Sequence, residues 1–140
     1  MDYESDLALW ADEQAGLLRA GRVNELDLEH LAEEIEGLSR RDRREIESRV
    51  RILLAHLLKW RYQPAPQSRS WLATITTQQQ EVMALLEDSP SLRPRLQSRW
   101  QEVYSRARTL AEDEIGIASL PNESPWTLDQ VLRGEYFANE

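Results

Sequence analysis

The chain has 140 residues, 41% of them hydrophobic and 30% charged, with a net charge of −8 and no cysteine. That length suits one domain with its own core, and the balance is that of an ordinary folded chain rather than a disordered one. The absence of cysteine excludes disulfides, thiolate catalysis and Cys-ligated zinc or iron–sulfur centres, and fits a reducing cytoplasm.

The N-terminus, MDYESDLALW, has no basic region followed by an apolar run, so it does not read as a signal peptide. A first helix is expected from Ser5, a cap residue, with Asp6 in the first turn and Leu7, Trp10, Gln14, Leu17 and Leu18 along it. Gly21 supplies the left-handed residue that ends it. After a short RVNEL link, Asp27 caps a second helix with Leu28, Leu31, Ile35 and Leu38 on one face and Glu29, Glu33, Glu34 and Glu36 largely outside it.

A third segment spans residues 40–62. The apolar spacing slips between Leu38 and Ile46, across GLSRRDRRE, which predicts a kink or break at residues 37–41 rather than one long helix. Ile46, Val50, Leu53, Leu57 and Trp60 then form a stripe widened by Ile52, Leu54 and Leu58, the pattern of a central bundle helix. Its apolar run, ILLAHLL, falls far short of the ~20 residues that cross a bilayer. Pro64 and Pro66 stop it, because each disfavours a helical residue before it.

A fourth helix is expected over residues 70–87 with Trp71, Leu72, Ile75, Val82, Met83 and Leu86 inward. SPSLRP opens a fifth, continuing through Leu96, Trp100, Val103, Tyr104, Ala107, Leu110 and Ala111 to about Glu114. Beyond Pro121 and Pro125, Thr127 and Gln130 form a capping-box pattern for a short last helix at residues 128–133. The expectation is an all-α, single-domain chain over residues 1–140. It forms an antiparallel bundle of four to five helices with a short extra C-terminal helix.

Charge is unevenly placed. Residues 1–39 carry eleven acids and two bases, a balance of −9, whereas residues 40–69 carry nine bases and three acids, a balance of +6. Residues 70–140 balance at −5. An acidic total argues against wholesale nucleic-acid binding, which needs a surplus of Lys and Arg at the contact, although the basic middle keeps a local version open. Acidic and basic segments can equally answer each other within the fold or across a dimer.

The segment HLLKWRYQPAPQSRSW, residues 56–71, is the candidate site. His56, at the border of the core stripe, is of the type that serves as an acid or base when its pKa is displaced. Lys59, Trp60, Arg61, Tyr62, Arg69 and Trp71 are the types that hold phosphates and stack bases. The bland reading assigns Trp60 and Trp71 to the core, Arg61 to a cation–π contact and His56 to a hydrogen bond at the core's edge. No second group is placed to complete a catalytic pair with His56. His30 and Glu33, three apart, have the spacing of bundle metal ligands, but the motif occurs once and in the reverse order of the di-iron pattern. It reads as a solvated acidic face, and no metal or cofactor is expected. Arg40, Arg41, Arg43 and Arg44 read as a solvated turn or kink that answers the acidic first and second helices, the weaker alternative being an anchor for an acidic partner or a nucleic-acid backbone.

The series WxxEQxxLLR (Trp10 to Arg19), ELDLEHLAEEIE (Glu25 to Glu36), LLxHLLKWxYQP (Leu53 to Pro64), SRSWxxTI (Ser68 to Ile75) and LEDSPSLRP (Leu86 to Pro94) resembles a bacterial all-helical family. It is the one catalogued as domain of unknown function number twenty-nine, and the likeness runs from Tyr3 to about Phe137. The resemblance implies a single all-α domain in a bacterial cytoplasm and carries no catalytic residues with it.

The leading expectation is a non-enzymatic interaction module that self-associates or binds another protein, without a membrane. The rival is a nucleic-acid-linked or hydrolytic activity centred on residues 56–71.

Overall fold

The computed structural model describes residues 2–63, 69–116 and 119–136. Six α-helices and a short 3-10 turn make up the regular structure, with no strand among the described residues, as the helical spacing requires. The chain divides into two compact units, Met1–Arg41 and Asp42–Glu140.

In the first unit, helix α1 runs Leu7–Arg19. Its cap is Asp6 rather than Ser5: Asp6 is extended, and its carboxylate accepts from the Leu9 N–H at 3.0 Å. A carboxylate both fills the cap and answers the positive end of the helix, which a hydroxyl does only in part. At the other end Gly21 sits at φ 71°, where L-residues are strained. The Gly21 and Arg22 N–H groups bond back to the Leu18 and Leu17 carbonyls, satisfying two of the last acceptors of α1.

After a 3-10 turn at Val23–Glu25, Asp27 begins helix α2, Leu28–Tyr62. Of the kink or break expected at residues 37–41, a break does not occur. The helix is continuous for 35 residues, about 52 Å at 1.5 Å per residue. One interior glycine costs only about 1 kcal/mol relative to alanine, less than breaking a helix among charged residues that have nothing else to bury. Side chains bridge the stretch one turn apart, with Arg40 at 3.9 Å from Glu36, Arg49 at 3.2 Å from Glu45, and Arg41 Nε on the Gly37 carbonyl at 3.4 Å. The slip in apolar spacing marks a change of environment, since burial along α2 begins only at Ile46.

In the second unit the C-terminal half of α2 packs with α3 (Arg69–Asp88), α4 (Leu92–Ser98), α5 (Trp100–Ile115) and α6 (Leu128–Arg133). Arg49 meets Gln78 and Lys59 meets Trp71, so α3 runs antiparallel to α2. Arg99 holds Glu47, and Lys59 holds Glu114, so α5 returns parallel to α2, completing an up-down-up arrangement. Fully buried Val50, Leu53, Leu54, Leu58, Val82, Tyr104, Ala107, Leu128 and Val131 fill the centre. Leu72 and Met83, expected inward on α3, are exposed, so that helix buries a narrower stripe than its composition suggests.

The single fifth helix expected is two. Arg99 adopts φ −106°, ψ 10° between α4 and α5, and its N–H is shared between the Arg95 and Leu96 carbonyls, both at 3.2 Å. Ser98 Oγ also donates to the Arg95 carbonyl at 2.7 Å, offering the backbone a turn in place of another helical residue. The last helix matches its expected bounds, with both halves of the Thr127–Gln130 capping box formed. The Pro64–Ala65–Pro66 loop lies outside the described residues.

Candidate functional site

The last turns of α2 carry His56, Lys59, Trp60, Arg61 and Tyr62, and the first turn of α3 carries Arg69 and Trp71. Lys59 is the centre of what the fold brings together. It is 7% exposed, its ammonium donates to the Glu114 carboxylate of α5, and it lies 5.5 Å from the centroid of the Trp71 ring. A lysine buried this far needs such partners, because an unpaired ammonium in the interior is costly. Its charge is therefore committed within the fold.

His56, one turn earlier, is half-buried. Its Nδ1–H donates to the Ile52 carbonyl at 2.9 Å, since a carbonyl can only accept. Burial pushes its pKa down; the Ile52 carbonyl opposes this, the Lys59 ammonium adds to the fall, and the Glu114 carboxylate works against it. The neutral ring keeps Nε2 as an acceptor, so His56 has the form of a base, but the groups beside it, Lys59 and Glu114, are paired with each other.

Two of the three aromatic members serve the core. Trp60 and Tyr62 pack against the buried cluster, and Arg61 rests over its neighbour Tyr62 at 5.6 Å. Arg61 and Arg69 are the exposed cations of the segment. Nearby on α5, the Tyr104 hydroxyl donates to the Pro121 carbonyl at 2.6 Å, and burial, ahead of its charged neighbours, pushes its pKa up to about 12.

A second polar cluster lies in the hairpin unit, where the sequence drew attention to His30 and Glu33. The partner of His30 is Asp27, not Glu33: Nδ1 lies 2.7 Å from Oδ2. Asp27 also accepts from the Trp10 indole N–H at 3.0 Å, and its backbone N–H donates to Gln14 Oε1 at 2.8 Å. Tyr3 stacks on His30 at 4.1 Å, meets Trp10 edge-on at 4.8 Å, and donates its hydroxyl to Glu34. The His30 bond, above all, holds the Asp27 pKa down despite the cost of desolvation, and the Asp27 bond holds the His30 pKa up. The cluster pins α1 and the residues before it onto the start of α2.

Beside that cluster the hairpin leaves an apolar groove of about 540 Å³, lined by Leu7, Ala11, Ala15 and Leu18 of α1 and Leu31 and Glu34 of α2. Leu18 is 55% exposed, and Ile35 and Leu38, at i+4 and i+7 from Leu31 on α2, are 64% and 55% exposed. The second-helix stripe read from the sequence is real as a stripe, but only Leu31 of its four members is even partly covered. Single exposed leucines are ordinary, whereas several apolar side chains left open on one unit, Leu7 and Leu18 among them on a shared groove, are a mark of interaction.

Sequence reasoning missed Glu114, Asp27, Tyr3 and Gln14 as site members. Asp27 carried a readable signal, being three residues before His30 at a helix start. Glu114 lies 55 residues from Lys59 and carried none.

An all-α protein emerges, made of an acidic helical hairpin with an uncovered apolar face and an up-down-up helical unit closed around a buried lysine. The chain belongs to the family described as Domain of unknown function DUF29, whose model matches residues 3–137. No curated protein and no solved structure matches it.

Proposed function

We propose that this protein is a non-enzymatic protein-interaction module whose hairpin unit receives a helix from a binding partner. The observation that carries the reading is the apolar groove lined by Leu7 and Leu18 of α1 and Leu31 of α2, with Ile35 and Leu38 left exposed further along the same helical stripe as Leu31. Two helices alone cannot enclose a core, and a hairpin that keeps a wide apolar face calls for a further layer. The rival centred on residues 56–71 draws less support, because Lys59 is held by Glu114 and Trp71, and Trp60 packs on the core. Arg61 and Arg69 remain as exposed cations on a segment otherwise used for packing.

Amide hydrogen exchange tests this reading without prejudging the partner. Exchange over residues 7–18 and 28–38 is expected to slow when the protein is concentrated or placed in an extract of its own cells, while residues 69–88 stay unchanged. Equal rates for residues 7–18 and 28–38 in dilute buffer, concentrated solution and extract would overturn it.

A further inference from the structure

We infer that the helix received by the hairpin groove is cationic and amphipathic, with an apolar stripe flanked by Lys or Arg, and that it belongs to another protein. The inference rests on the interaction reading above and names the chemistry of the occupant.

The groove sets the apolar half of the requirement. It is lined along α1 by Ala11 and Ala15, with Leu7 before and Leu18 after them in sequence, and on α2 by Leu31. Small side chains between larger ones let an incoming helix approach closely and seat its own apolar residues between the leucines. Helix α1 is 13 residues long, about 20 Å, so the groove suits three to four turns of a partner.

Charge sets the other half. Residues 1–39 carry eleven acids against two bases, Arg19 and Arg22, and Arg22 is already paired with Glu25. Whatever internal bonds single acids make, the surplus over bases leaves this segment strongly net negative. Glu34 stands on the groove wall itself. A helix with cationic flanks is drawn toward such a surface and gains in association rate and in specificity. The same charge opposes the alternative occupants. A second copy docking hairpin to hairpin would bring two net-negative units together, since Met1–Arg41 carries eleven acids against four bases, and an anionic membrane surface would be repelled in the same way.

Synthetic amphipathic helices provide the test. Two peptides of about 16 residues with the same leucine stripe, one flanked by Lys and Arg and the other by Glu, are titrated calorimetrically into the full chain. The basic peptide is expected to bind with a Kd in the micromolar range, at least tenfold tighter than the acidic one, and to weaken about tenfold as salt rises from 50 to 500 mM. Leu18→Asp plus Ile35→Asp should abolish binding with the helical circular dichroism unchanged, because both side chains are already exposed.

Equal affinity for the two peptides, no binding of the basic one, or binding indifferent to Leu18→Asp plus Ile35→Asp would each overturn the inference. If the basic peptide fails while concentration alone slows exchange over residues 7–18 and 28–38, the occupant is a second copy. This inference then falls and the interaction reading stands. If exchange also stays unchanged under all conditions, both fall.

Discussion

His30 and His56 each bond through Nδ1, the first with the Asp27 carboxylate at 2.7 Å and the second with the Ile52 carbonyl at 2.9 Å, and their pKa values move in opposite directions. A carboxylate favours imidazolium, whereas half-burial beside an ammonium disfavours it. The consequence for stability has a sign at each site. Asp27, with its pKa lowered, contributes above the ordinary carboxylate value of about 4, and that contribution fades as pH falls through the depressed one. His30, raised, contributes fully below about pH 6.5 and loses it as pH rises through the higher value. The hairpin is thus best held between about pH 4 and 6.5. His56, lowered, contributes above about pH 6.5 and loses it on acidification. Proton NMR titration should place the His30 midpoint above that of His56, and Asp27→Asn should bring His30 down while leaving His56 in place. A His30 midpoint below that of His56 would contradict the pairing. At Lys59 the test is an ordering. Glu114→Ala strands a buried ammonium and should cost about 1–3 kcal/mol in urea unfolding, whereas Lys59→Met keeps the volume and should cost under about 1.5 kcal/mol. The reverse order would mean that Lys59 is not held as described.

Among the helices, α2 shows how far local pattern reaches. Several helix ends were readable because they are local chemistry, namely Asp27 at the start of α2, Gly21 after α1 and the Thr127–Gln130 box before α6, while the cap of α1 was read one residue early, at Ser5 instead of Asp6. The continuity of α2 through residues 37–41 was not, because apolar spacing reports what a helix packs against rather than whether it is helical. Where nothing is buried, the pattern loses its period while the backbone continues. Gly37→Ala should therefore stabilise the chain by about 0.5–1 kcal/mol, since a Cβ there would meet only Arg40 Nη2, at an ordinary 3.8 Å. A loss of stability would mean that residue 37 needs the freedom of glycine within the helix. The division at Arg99 was unreadable for the opposite reason. Leu96, Trp100 and Val103 keep helical spacing across it, and the change is recorded in the backbone, the Ser98–Arg95 bond and the Arg99–Glu47 pair.

Across the chain, burial is lopsided. Among the described residues of Met1–Arg41 only Trp10 and Gln14 are buried, whereas Asp42–Glu140 holds the whole central cluster. The all-α class followed from the period alone. The candidate site at residues 56–71 followed only as a list of residues. Its meaning depended on Glu114, which meets Lys59 through tertiary packing that no spacing encodes. The face on α1 and α2 was likewise visible as apolar spacing, but spacing cannot distinguish a side chain covered by its own fold from one left open. Trp10 adds a last consequence. It is the sole tryptophan of residues 1–41, the other four lying at positions 60, 71, 100 and 126. Its indole N–H is bonded to Asp27, and its ring meets that of His30 edge-on at 6.4 Å. A fluorine on that indole would give the hairpin its own resonance, apart from the other four, so that proton uptake by His30 and the arrival of a partner could be followed in one spectrum.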